Sequence, residues 1–271
     1  MKAKITICKI ILIAFIILLT IPQQFYSQIA RPVTAKNGMV VSACPLASKV
    51  GTEILKNGGS AVDASVAVGF ALAVTYPYAG NLGGGGFMVL HLNSGKNTTI
   101  DFREKAPLSA HKDMYLNSYG NYVPELSQDG ITSVGVPGSV AGLIYALEKY
   151  GTMSLENVIQ PAIELAEHGF NLSEADARSF NHYFNEFKKY PSTLKIFSKD
   201  GKSFNEDDLF LQKDLAKTLD SIKKNGRDGF YKGEIADLFI AHVEKMEGYI
   251  TREDLEGYSP VEREPIEGTY R

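Results

Sequence analysis

The chain has 271 residues, 28 Lys and Arg against 31 Asp and Glu, 44% hydrophobic and 22% charged residues, a balance that excludes disordered, collagenous and coiled-coil classes. With 25 Gly, 11 Pro, 14 Tyr, 14 Phe and only 2 Cys, it has apolar material for a core and no disulfide framework. A formal net charge of -3 gives no basic field for a phosphate backbone, so no nucleic-acid partner is expected and small-molecule chemistry is favoured.

The first 27 residues differ from the rest. Lys2, Lys4 and Lys9 precede Ile10–Ile21, an apolar run whose only polar member is Thr20, as in the charged and apolar regions of a signal peptide. As a helix that run rises about 18 Å, short of the roughly 30 Å hydrocarbon core, and Pro22 closes it. The expectation is therefore a signal peptide over 1–27, cut after Ser27, and a mature region 28–271 exported to the periplasm or beyond the cell. An uncleaved membrane anchor is the alternative, because Phe25 departs from an A-x-A site. The mature region keeps one cysteine, Cys44, which cannot pair internally.

Met39-Val40-Val41 reads as a short strand, ending buried near Cys44. Pro45 opens a helix that Asn57-Gly58-Gly59 stops, and Ser60 with Asp63 caps the next, whose small apolar residues Ala61–Val74 predict burial on several sides. The glycine run Gly80-Asn81-Leu82-Gly83-Gly84-Gly85-Gly86 leads into a hairpin, Phe87–Leu92 and Thr98–Phe102. Helices are then predicted over 139–150, 155–167 (with Pro161 inside), 174–188, 208–224 and 233–247, and an extended tail from Val261. Helices beside a hairpin imply a layered α+β domain.

The five histidines, His91, His111, His168, His182 and His242, form no H-E-x-x-H, and no G-x-S-x-G occurs, so neither a metal site nor a hydrolase elbow is predicted. Gly83–Gly86 lacks the lysine of a phosphate loop and precedes a strand instead of a helix, so no nucleotide cofactor is expected; its glycines are read as allowing positive φ and close approach. Gly135-Val136-Pro137-Gly138-Ser139 precedes a helix and could hold an anion or simply cap it. Arg103 stands where a strand becomes a loop. Its fork of donors fits a carboxylate, and a surface pair with Asp101 or Glu104 is the competing reading.

Four segments carry a resemblance: Gly58–Ala64 (GGSAVDA), Gly80–Met88 (GNLGGGGFM), Asp101–Pro107 (DFREKAP) and Val136–Gly142 (VPGSVAG). With Lys149–Met153, Phe230–Ala236 and Tyr249–Leu255, in order, they closely resemble the γ-glutamyltranspeptidase family, over essentially all of 37–271. The resemblance implies an N-terminal-nucleophile hydrolase fold of αββα layers, made as a precursor that cuts itself into a large and a small subunit. The new terminal Thr is the nucleophile, with its own α-amine as base.

The resemblance also implies that Arg103, in the F-R-E motif, binds the α-carboxylate of a γ-glutamyl group. Family text continues past Gly268-Thr269-Tyr270-Arg271. The nucleophilic Thr, the oxyanion glycines and the small subunit are thus expected beyond residue 271, and no catalytic residue is assigned within the chain. The implied function is cleavage of γ-glutamyl amides such as glutathione, with transfer to water, amino acids or peptides. A cephalosporin (glutaryl) acylase and a noncatalytic periplasmic binder of γ-glutamyl compounds are the alternatives. Without its small subunit the chain is expected to expose apolar surface at Ala61–Val74 and Phe87–Leu92.

Overall fold

The computed structural model describes residues 32–270; the expected signal peptide, 1–27, lies outside the described residues. The chain divides into two units, Met1–Asn37 and Gly38–Arg271, and every element below belongs to the second.

Helices α1 (Pro45–Lys56) and α2 (Ala61–Thr75) pack against each other. Pro45 occupies the first turn of α1, where its missing N–H costs nothing. Met39–Val41 forms no strand, and Val41 is 83% exposed: no described strand runs alongside to complete a ladder. Strands β1 (Phe87–His91) and β2 (Asn97–Asp101) form the expected hairpin, and β5 (Val261–Arg263) pairs antiparallel with the other edge of β2. Leu90, Thr98 and Ile100 are buried on one face of this sheet, towards α4 (Ser139–Tyr150). On the other face Phe87 is 61% and Val89 72% exposed, whereas Ala61–Val74 is largely buried within the chain.

Between the sheet and its partner strand lie α3 (Pro124–Gln128), α4 and α5 (Leu155–His168). An aromatic satellite core follows: β3 (Phe170–Asn171), α6 (Glu174–His182), α7 (Phe184–Phe187), α8 (Pro191–Ile196) and β4 (Leu209–Phe210) surround Phe180, Phe204 and Phe210. The helix expected over 174–188 breaks at Tyr183 (φ -94°, ψ 6°), and Phe187 meets Phe197 at 5.5 Å on the rim of that cluster. The helix expected from Asp208 starts later, as α9 (Lys213–Asn225). Leu209 and Phe210 pair with β3, and the buried Gln212 donates to the carbonyls of Ala166 and Val74. Helices α10 (Asp228–Tyr231), α11 (Gly233–Lys245) and α12 (Arg252–Gly257) complete the chain before β5.

Two carboxylates tie remote segments together. Asp63, fully buried, accepts from the Ser60 amide (2.6 Å), the Thr152 amide and hydroxyl (2.8 and 2.7 Å) and the Met153 amide (3.0 Å). Burial alone would raise its pKa, but these bonds from Ser60, Thr152 and Met153 outweigh it and hold the carboxyl at about 2. Glu262 on β5 accepts from Thr98 (2.9 Å), Tyr150 (2.7 Å), Tyr145 (3.1 Å) and Lys149, with Lys149 the main cause of a carboxyl pKa of about 2.

The glycine run works by proximity, not by the positive φ expected of it: none of Gly80–Gly86 has a positive φ. A Cβ on Gly85 would stand 2.5 Å from the Phe102 carbonyl oxygen and 2.7 Å from the Glu104 amide nitrogen. Gly86 and Phe102 exchange backbone hydrogen bonds of 3.2 and 2.9 Å, extending the hairpin ladder by one pair. The Gly84 carbonyl accepts from the amides of Gly138 and Ser139 (2.8 and 2.9 Å). Those two donors at the start of α4 are therefore engaged by protein, and the capping reading of 135–139 is the one realised.

Asp63→Ala should destabilise the protein by about 2–3 kcal/mol, because the part-buried donors at Ser60, Thr152 and Met153 lose their acceptor. Since the folded pKa of about 2 lies below the unfolded value near 3.9, the wild-type contribution is complete above about pH 4 and disappears as pH falls from 4 through 2. Denaturant unfolding of both proteins from pH 7 to 2 should show the gap closing; a constant gap would refute this. Gly85→Ala should cost about 1–3 kcal/mol by the same measurement. Calorimetry should detect no ATP or NAD binding, and micromolar binding lost on Gly84→Ala would show the run to be a phosphate cradle.

Candidate functional site

Two residues past β2, the chain leaves the sheet at Arg103. Its amide donates to Asp101 Oδ1 (3.1 Å), and its carbonyl accepts from the Tyr258 hydroxyl (2.8 Å). Asp101 Oδ2 is occupied by Arg263 Nε at 2.8 Å. The Arg103 amide, followed by the Arg263 guanidinium, lowers the Asp101 carboxyl below its ordinary range. Asp101 is thus committed to the Arg103 backbone and to β5, not to the Arg103 side chain.

The guanidinium pairs instead with its neighbour: Nε lies 3.3 Å from Glu104 Oε2. The N–H is not aligned for a hydrogen bond, and Oε2 is otherwise buried without a partner. The competing reading of Arg103 as half of an ion pair is therefore real, but it uses only Nε. Among the described residues neither terminal nitrogen of Arg103 has a hydrogen-bond partner, and the side chain is 59% exposed. Both terminal nitrogens are thus left for a ligand, and a guanidinium can grip a carboxylate with two parallel bonds.

Arg103 and Glu104 line a cavity of about 340 Å³ that also takes in the glycine run, Asn81 and Tyr78, Gly69 and Leu72 of α2, and Ser139 and Leu143 of α4. The lining joins apolar side chains such as Leu72, Leu82 and Leu143 to the Arg103 cation and the Glu104 carboxylate, a combination suited to a small zwitterionic or anionic ligand. No histidine or cysteine lines this cavity. Burial, then Tyr76, pushes the Tyr78 phenol up to about 12, so it is no general base near neutrality. Among the described residues no three His, Cys, Asp or Glu side chains converge as a metal ligand set.

Of these residues the sequence singled out Arg103 and the glycines. Glu104 figures there only as a competing partner and Ser139 only within the anion-or-cap segment 135–139, while Tyr78, Asn81 and Tyr258 carry no assigned role. Asn81 sat inside a motif already under scrutiny. Tyr258 had no local signal at all, since its partner is 155 residues away.

The sequence profile described as Gamma-glutamyltranspeptidase matches residues 47–271. The glutathione hydrolase proenzyme of Pseudomonas sp. (strain A14) is 50% identical over 241 residues, covering 89% of this chain and 42% of that protein. The Helicobacter pylori γ-glutamyltranspeptidase crystal structure superposes with a TM-score of 0.87 at 50% identity, covering 89% of this chain and 69% of that one. The cephalosporin acylase of Bacillus halodurans superposes at 0.81 with 30% identity, covering 92% of this chain and 47% of that one. The chain spans less than half the length of the Pseudomonas relative. The architecture is the large-subunit portion of the αββα N-terminal-nucleophile hydrolase fold, and the chain belongs to the γ-glutamyltranspeptidase family.

Proposed function

We propose that these residues are large-subunit text of a γ-glutamyltranspeptidase proenzyme whose complete form cleaves γ-glutamyl amides such as glutathione and passes the acyl group to water, an amino acid or a peptide. Arg103 is the residue of this chain that meets the substrate, through the α-carboxylate of the γ-glutamyl group. The observation that carries this reading is the exposed guanidinium of Arg103 at the cavity, paired with Glu104 through Nε alone, so that both terminal nitrogens are left for a carboxylate. Two parallel charged hydrogen bonds fix both the position and the plane of a carboxylate, which is what presentation of the γ-amide to a nucleophile requires.

The nucleophile belongs to the small subunit in this proposal: a Thr freed by self-cleavage, its α-amine serving as base. The bare sheet face at Phe87 and Val89 supports a further layer of protein there. Residues 1–27 direct export, so the enzyme acts outside the cytoplasm. Likeness to the Bacillus halodurans acylase favours a second reading in which the acyl group is glutaryl; a glutaryl anilide distinguishes it from a γ-glutamyl one.

In the full-length protein, Arg103→Ala should lower kcat/KM for a γ-glutamyl anilide by a factor corresponding to about 2–5 kcal/mol, and Arg103→Lys should not restore it, since an ammonium has no planar fork. Unchanged kcat/KM would reject the role. Residues 28–271 purified alone should neither process themselves nor turn over the anilide, and should aggregate through the uncovered sheet face. Turnover above buffer that disappears with Arg103→Ala would locate the nucleophile inside the chain and overturn the mechanism.

A further inference from the structure

The Arg103 carbonyl is held from the far end of the chain. Tyr258, the residue after α12, is 3% exposed and its hydroxyl donates to that carbonyl at 2.8 Å. Burial pushes the phenol up to about 12, so it stays a protonated donor across the neutral range. The ring has little freedom. Tyr231 stacks on it at 5.9 Å and 8°, and Lys105 Nζ lies 4.9 Å from its centroid. Tyr231 is fixed in turn, donating to the Pro137 carbonyl (2.8 Å) and accepting from the Ala141 amide (3.3 Å). Arg227 lies 4.6 Å over the Tyr231 ring and donates to the carbonyls of Glu256 and Tyr258 (2.8 and 2.6 Å). Gly138 leaves the space this needs, since a Cβ there would stand 2.2 Å from the Tyr258 hydroxyl.

The hydroxyl's target is the peptide joining Arg103 to Glu104. On its amino side Arg103 has a local tether, the bond to Asp101 Oδ1 two residues back. On its carbonyl side the tether is Tyr258. Rotation of the 103–104 peptide would move both the guanidinium and the carboxylate that steadies it, and recognition by a planar fork tolerates roughly half an ångström and 10–20°.

We propose that Tyr258 is a positioning residue for carboxylate recognition: its hydroxyl fixes the Arg103–Glu104 peptide and so aims the Arg103 fork. This rests on the reading of Arg103 as the carboxylate contact. It acts through Arg103 and touches no reacting atom.

The test uses the full-length enzyme and two anilide substrates, γ-glutamyl and 4-aminobutyryl, which differ only in the α-carboxylate. Kinetics and thermal midpoints are measured for wild type, Tyr258→Phe, Arg103→Ala, the double variant, Tyr231→Phe and Leu219→Ala. Tyr258→Phe keeps the ring and its stack, so it should fold with a small drop in midpoint. It should lose about tenfold in kcat/KM for the γ-glutamyl substrate, mainly through KM, and little for the 4-aminobutyryl one. In the Arg103→Ala background the same change should have no further effect on selectivity.

Leu219→Ala, a buried core change, lowers the midpoint without changing the ratio between substrates, and Tyr231→Phe, which keeps the stacked ring and the Tyr258 hydroxyl, changes the ratio less than Tyr258→Phe does. Equal losses on both substrates by Tyr258→Phe, or a Tyr231→Phe effect of the same size, would assign Tyr258 to structure alone and overturn the inference while leaving Arg103 its role. An Arg103→Ala enzyme that still prefers the carboxylate-bearing substrate as wild type does would instead overturn the reading of Arg103 itself.

Discussion

The backbone of Phe102 and Arg103 runs through a slot too narrow for side chains. Gly85 presses on it from the run before β1 and Gly138 from the residue before α4, where an added Cβ would fall 2.1 Å from the Phe102 carbonyl oxygen, while Gly86 and Gly142 close on the Phe102 side chain. The slot has three consequences. It seals the end of the hairpin to α4, it gives the Gly84 carbonyl access to the first amides of that helix, and it leaves Arg103 as the first side chain to emerge where the strand departs. The glycine run passes here as bare backbone, and the exposed Arg103 and part-buried Glu104 line the cavity beside it.

Much of this was legible in the sequence, for identifiable reasons. The helix start at Ser60 follows from a hydroxyl with Asp three residues later, and the same box forms at Ser173 and at Thr251. The hairpin was readable from its two apolar runs and intervening turn residues. What could not be read depended on partners distant in sequence. Leu209 and Phe210 are strand only because Phe170 and Asn171 lie beside them, and Met39–Val41 is not strand for want of such a neighbour. Of the two reasons the sequence offers for the glycine run, close approach is the one the structure bears out and positive φ is not, while the partner approached, Phe102–Glu104, is not named by the run itself.

At the site, the distinction between an Arg that recognises a ligand and one that merely pairs with a neighbour dissolves. Glu104 does pair with Arg103, and pairing through Nε leaves both terminal nitrogens for a ligand. The tether network behind it, from Arg227 through Tyr231 and Tyr258, commits a large share of the carboxyl-terminal segment to one peptide plane.

The three capping boxes all use Asp where Glu has the longer arm, and two of those carboxylates also reach outside their helix. Asp63 receives Thr152 and Met153, and Asp254 Oδ1 receives the Leu108 amide at 2.6 Å while Oδ2 serves Thr251. A short side chain keeps its two oxygens close to the helix end, so one faces the cap and the other a passing loop. Each such residue is a junction between local and long-range order, and its helix cannot fray without releasing a segment some 90 or 146 positions away. For Asp254 the segment released would be the loop that begins just after Arg103, which joins the fate of a one-and-a-half-turn helix near the end of the chain to the shape of the binding rim.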